Sequence, residues 1–205
     1  MPPLSPYEVA LGGDLTALHP KLRAYFAAIP PGRHGVGRGS FDTVGTPRRW
    51  LWPVLAVLAR DGVLFPVWQQ DVPFLVVNRP GPARVDAVRR FEFGGGARDM
   101  VDAIGADANG LTDRLGRSGR LEARLDGRVV DGALHLTSSR LFLHHRGRRV
   151  PVPRWCAPLV HLTERFDDGD QRQHVRVTVT LPLVGTLYEY AGSFRYSIES
   201  GEPSV

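Results

Sequence analysis

In PLVHLTERF, residues 158–166, every second side chain from Val160 is apolar except one. An extended segment points alternate residues to the same face, so Val160, Leu162, Glu164 and Phe166 share a side and Glu164 lies among apolar neighbours. A carboxyl held there either has a raised pKa or finds a cation. Two arginines sit on comparable faces. In VRRFEF, Arg89 alternates with Phe91 and Phe93. In LHLTSSRLF, Arg140 is in line with Leu134, Leu136 and Phe142, provided the strand is not bulged. The guanidinium fork suits two-point contact with a carboxylate. Two chemistries fit: an internal ion pair that fixes strand register, or an apolar pocket whose few polar groups orient a ligand and whose acid moves a proton. On the second reading Glu164 and Arg89 are the catalytic pair. Arg140, Tyr190, Tyr196, Phe91, Phe166 and Asn78 are the ligand-binding positions, although Asn78 also suits a turn before Arg79-Pro80.

The elements that position these residues follow from periodicity. Leu15, Leu18, Leu22, Tyr25 and Phe26 are spaced as one face of a helix over residues 14–28, with Asp14 as a cap or Pro20 opening the main helix at its first turn. GVGRGSFDTVG, residues 35–45, reads as a thin strand pressed close to other backbone. Residues 48–60, RRWLWPVLAVLAR, read as a helix entering at Pro53 and packed over the core, since its apolar residues go nearly all round. The alternative for this segment is a membrane-surface helix, with Trp50 and Trp52 at headgroup level and arginines on anionic lipid. Its apolar run is too short to span a bilayer, which needs about 20 residues.

From Val72 onward helical spacing gives way to alternating runs. Asp126-Gly127, Asp131-Gly132, Arg146-Gly147 and Asp168-Gly169 offer turn chemistry between them. The fold expected is mainly β (α+β): an antiparallel, barrel-like sheet covered by two N-terminal helices. The chain reads as a single domain over 1–205, with a helical portion containing one strand over 1–62 and the barrel-like portion over 63–205. On the last strand Tyr190, Phe194, Tyr196 and Ile198 share a side; Val175, Val177, Val179 and Leu181 form an apolar face before it.

The remaining reactive residues read as structural. His144 and His145 are adjacent, so on a strand they point to opposite faces and cannot share a metal without distortion, and no CxxC or HxxxH spacing adds ligands. They belong to a hairpin turning at Arg146-Gly147. Cys156 is the single cysteine and follows Trp155 in an apolar context, which makes an inert thiol. Ser138 and Ser139 lack the GxSxG elbow, and His161 shares the outer face with Thr163 and Arg165. No metal and no cofactor is expected.

Composition narrows the classes further. At 205 residues the chain buries roughly 70% of its unfolded surface, so it needs no disulfide. One cysteine and a start lacking a basic and apolar leader point to the cytoplasm. The net charge is +5, carried almost wholly by arginine, with Lys21 the one lysine. Acidic residues are interspersed with the basic ones, so no nucleic-acid partner is expected.

GVGRGSFDTV, GVLFPVWQQDVPFLVVNRP, RRFEF, VPVPRWCAPLV and TLPLVGTLYEYAGSF occur in this order. As an ordered set they resemble the bacterial family called domain of unknown function 4166, from LHPKLRAYF to the last strand. Members of that family also occur fused behind NAD-binding, saccharopine-dehydrogenase-like domains. This chain has no GxGxxG opening a strand-turn-helix unit. The resemblance implies a self-contained unit that works beside a redox or biosynthetic enzyme, and it implies no catalytic residues. The functional expectation is a small-molecule-binding barrel for a lipophilic metabolite, extending to a cofactor-independent isomerase or cyclase. The alternative is a non-catalytic module docked on an NAD-dependent oxidoreductase.

Overall fold

In a computed structural model, which describes residues 4–201, one antiparallel sheet accounts for every strand. The strands are β1 (Arg33–Gly45), β2 (Trp68–Gly81), β3 (Arg84–Phe93), β4 (Gly96–Asp107), β5 (Gly110–Leu115) and β6 (Leu121–Val130), then β7 (Ala133–His145), β8 (Arg148–Pro151), β9 (Leu159–Asp167), β10 (Arg172–Leu181) and β11 (Gly185–Ser200). Ten strands close into a barrel, because β6 pairs with β7 at one side and β1 with β11 at the other. The first half of β7 pairs with β9 and its last residues pair with β8, so β8 is a short outer flap beyond the closed wall. The architecture is mainly β, as the alternating periodicity predicts.

The helices are short and confined to the N-terminal third: α1 (Pro6–Leu11), α2 (Pro20–Phe26) and α3 (Trp52–Arg60). The single helix expected over 14–28 is instead a 3₁₀ segment, Gly12–Ala17, followed by α2, which starts at Pro20 behind His19 as cap. Proline fits the first turn because its missing N–H is not needed there. α1 lay outside the expectation. It has a capping box, in which Ser5 accepts from the Glu8 N–H and Glu8 accepts from the Ser5 N–H. α1, the 3₁₀ segment and α2 close one end of the barrel; α3 lies across the other, between the end of β1 and the start of β2.

Asp131-Gly132 and Arg146-Gly147 have positive φ at both positions, 50° and 76°, then 48° and 74°, as tight hairpins require. Asp168-Gly169 turns between β9 and β10. Asp126-Gly127 does not turn; it lies inside β6. Gly127 is there because a Cβ would come 2.9 Å from Leu11 of α1. The thin-strand reading of β1 is borne out at Gly39, where a Cβ would sit 2.0 Å from the Ser193 carbonyl oxygen.

Two apolar clusters fill the barrel. One gathers Phe41, Phe65, Phe74, Phe91 and Phe194 towards α3. The other gathers Leu22, Phe26, Leu111, Leu134 and Leu136 beneath α1 and α2. α3 packs over the first cluster as expected, with Pro53 in its first turn: Leu55 is buried and Leu51, Trp52, Leu58 and Ala59 pack against the core, while Val54 and Val57, and Trp50 in the turn before the helix, are exposed. Among the described residues, no helix is long and apolar enough to cross a membrane.

Candidate functional site

Between the two apolar clusters lies a polar layer. β9 turns Leu162, Glu164 and Phe166 inward, β3 turns Ala87, Arg89, Phe91 and Phe93, and β11 turns Tyr188, Tyr190, Phe194 and Tyr196. Arg89 is central. Its Nη1 contacts Asp102 of β4, diagonally across the β3–β4 ladder in which Ala87 faces Asp102. Burial opposes its charge, but the Tyr190 and Tyr25 phenols and the Asp113 carboxyl hold its pKa above the ordinary value. Its side chain is enclosed by protein yet 23% uncovered, and that surface faces voids inside the barrel.

Three carboxyls share this layer. Glu164, 7% exposed, accepts from the Gln173 amide of β10. Burial pushes its pKa from 4.5 up to about 7, against the lowering influence of Gln173 and Arg89. Burial likewise raises Asp113 of β5 to about 7, with Arg89 acting in the opposite direction. Asp113 Oδ1 and Asp102 Oδ2 are buried without a hydrogen-bond partner among the described residues, as is the Tyr196 hydroxyl. Asn78 at the end of β2 approaches the hydroxyls of both Tyr25 and Tyr196. Buried polar atoms in this state normally meet water or a bound group.

Two small voids flank Arg89, each of about 20 Å³, room for about one water. One is lined by Tyr7, Phe26, Asn78 and Ile104, the other by Phe41, Phe74, Glu164 and Tyr190. A much larger groove, about 430 Å³, opens at the α2 end and is lined by Lys21, Phe166, Gln173, Arg195 and Tyr196. Tyr25 borders the groove and both voids, so its ring is the partition between them. It stands edge-on to Tyr196, with ring centres 4.6 Å apart. Gly35 makes this packing feasible: a Cβ there would fall 1.6 Å from the Tyr196 hydroxyl.

The expected site residues therefore divide. Glu164, Arg89, Phe91, Tyr190 and Asn78 line the interior or its voids, and Tyr196 and Phe166 line the groove at its mouth. Phe166 is half-buried and stacks on His19, with ring centres 4.8 Å apart. Arg140 does not join them. The β6–β7 register slips between Arg124 and Leu125, which face Arg140 and Ser138, so Ser139 is bulged out. One extra residue reverses the alternation, and Arg140 emerges exposed on the outer wall. There it borders a separate groove of about 510 Å³ with Pro151, Arg154 and Pro182; although larger, this groove shares no lining residue with the polar layer. Glu164 consequently has Gln173, not an arginine, as its direct partner, and Arg89 pairs with Asp102.

Gln173, Asp102, Asp113 and Tyr25 are the members that the strand patterns left unassigned. Three carried the signal that exposed Glu164: Gln173 alternates with Val175, Asp102 with Met100 and Ile104, Asp113 with Leu111. Outside the barrel, Asp167, Asp170 and His174 come within ligand distance of one another. Arg165 and the Gly169 N–H already occupy Asp167, and Asp170 accepts from His174.

The chain matches the family described as Domain of unknown function (DUF4166) over residues 18–194. It is 27% identical over 192 residues to the uncharacterized protein YndH of Bacillus subtilis (strain 168), spanning 87% of this chain and 90% of that protein. No solved structure matches it.

Proposed function

The chain belongs to the DUF4166 family, whose description names no activity, and on that premise we propose a small-molecule-binding barrel. Its ligand is a lipophilic metabolite seated in the groove between α2 and the ends of β9, β10 and β11. One observation carries the reading: a groove of about 430 Å³, within the usual range for small-molecule sites, is separated by Tyr25 and Gln173 from a buried layer in which Asp102 and Asp113 lack full partners. Phe166 and Tyr196 provide apolar and aromatic walls, while Gln173 and the rim cations Lys21 and Arg195 orient a polar head. Movement of Tyr25 would open the way to Glu164 and Arg89. With its pKa near 7, Glu164 would give and take a proton, and Arg89 would hold developing negative charge. Those roles suit an isomerisation or cyclisation without a cofactor.

The test is titration of the full chain with the fluorescent lipophilic acid cis-parinaric acid. The reading expects saturable binding, weakened about tenfold or more by Gln173→Leu or Tyr196→Leu in chains shown to be folded by circular dichroism at the titration temperature, the scale of a lost polar contact. Binding that is unsaturable, or as tight in both variants as in the wild type, would refute it. The alternative, a non-catalytic module docked on an NAD-dependent oxidoreductase, leaves the groove unused. It would be favoured by a stable complex with such an enzyme that both groove variants form equally well.

A further inference from the structure

The α3 end of the barrel carries an apolar surface that the ligand reading does not use. Trp50, Val54 and Val57 follow i, i+4, i+7 spacing and form one exposed stripe on α3 and the turn before it, with Trp50 61% uncovered. At the same end Trp155, in the loop between β8 and β9, is 81% uncovered, and Leu183, at the β10–β11 turn, projects fully into solvent. These three segments adjoin one another. A Cβ on Gly185 would lie 3.7 Å from the Arg48 guanidinium at the entry to α3, and the outer groove is lined jointly by Arg154, Leu159 and Pro182.

Arginine predominates on α3 and in the two loops that carry the apolar tips. Among the described residues, Arg48, Arg49, Arg60, Arg148 and Arg154 make no ion pair, while Arg149 of β8 is paired with Glu122. Two acids at this end are already engaged: Asp61 accepts from Ser118, and Glu122 is held by His144 and Arg149; Glu189 lies on the wall of β11 opposite Gly45. Asp42, Asp71 and Glu92 are exposed acids, but they belong to the walls of β1, β2 and β3, not to α3 or the two loops.

We infer that this end of the barrel docks on an anionic lipid surface. Trp50, Val57, Trp155 and Leu183 would enter the headgroup–acyl boundary while the unpaired arginines meet lipid phosphates. The partner is assigned as a bilayer and not a protein because the apolar groups are separate tips from three segments, accompanied by arginines. A bilayer accepts such tips individually, whereas a protein partner needs a continuous complementary surface.

Flotation of the full chain with vesicles of phosphatidylcholine, alone or with roughly one-third phosphatidylglycerol, tests the inference. The expected result is recovery with the anionic vesicles about tenfold above the neutral ones, reduced by salt, with a blue shift of tryptophan fluorescence. Trp50→Ser with Val57→Ser, and separately Trp155→Ser with Leu183→Ser, should each abolish flotation while the melting temperature stays unchanged. These positions are exposed, so the fold does not depend on them. A chain that stays in the soluble fraction with anionic vesicles overturns the inference. So does a dimer in solution that dissociates with the Trp50/Val57 variant, since that would assign the face to a second copy.

Discussion

Replacing Glu164 by glutamine should make the protein more stable at alkaline pH, not less. A carboxyl whose folded pKa is raised holds its proton in the folded state and loses it in the unfolded state between about 4.5 and 7. Across that window the folded state binds more protons, so stability is full below the unfolded pKa and falls as pH rises through about 7. The displacement from 4.5 to about 7 corresponds to roughly 3 kcal/mol for Glu164, and Asp113 adds a similar amount in the same direction. The substituted amide keeps the shape, can still bond to Gln173 and cannot ionise. Arg89 is not stranded, because its direct partner is Asp102. Urea unfolding from pH 4.5 to 8.5 should therefore show a decline in the wild type and about half that decline in Glu164→Gln. The curves should be close at the acid end and roughly 3 kcal/mol apart, variant above wild type, at the alkaline end. Parallel curves, or a variant less stable at every pH, would refute the assignment of Glu164 as a buried, partly protonated acid.

Asp102→Asn is expected to behave oppositely, costing about 3 kcal/mol or more, because it removes the charge that compensates a buried guanidinium; denaturant unfolding at pH 7 reads it. Gly39→Ala should cost about 3 kcal/mol, since its Cβ would meet the Ser193 carbonyl and force β1 from β11; a near-neutral melting temperature would contradict the close approach. Tyr25→Ala should join the groove to the inner voids at a cost of about 3–5 kcal/mol, and it should increase uptake of an apolar dye such as anilinonaphthalene sulfonate by the folded chain.

The barrel and much of its inner face were legible because alternation is a local property. Arg89 with Phe91, Glu164 with Leu162, and Tyr190 with Tyr196 each fall on the inner face that their spacing implies. Arg140 failed because a bulge at Ser139 depends on pairing with β6, which no single strand discloses. Gly127 carries turn chemistry, yet its role is to admit Leu11 from a helix more than a hundred positions earlier. The Arg89–Asp102 pairing and the partition formed by Tyr25 are likewise products of closure, since they join residues from different elements. The exposure of α3 follows the same logic. Its apolar residues go nearly all round, but the barrel end covers only the side with Leu55, Leu58 and Ala59 and leaves Val54 and Val57 in solvent.

Whether the groove behind α2 holds a lipophilic molecule is tested most directly by native mass spectrometry of the full chain purified gently from its own host. The expected result is an added mass of a small organic molecule, extractable into organic solvent and diminished in Gln173→Leu and Tyr196→Leu. A bare protein mass in the wild type, unchanged after incubation with a total lipid extract of that host, would contradict a lipophilic ligand in this groove.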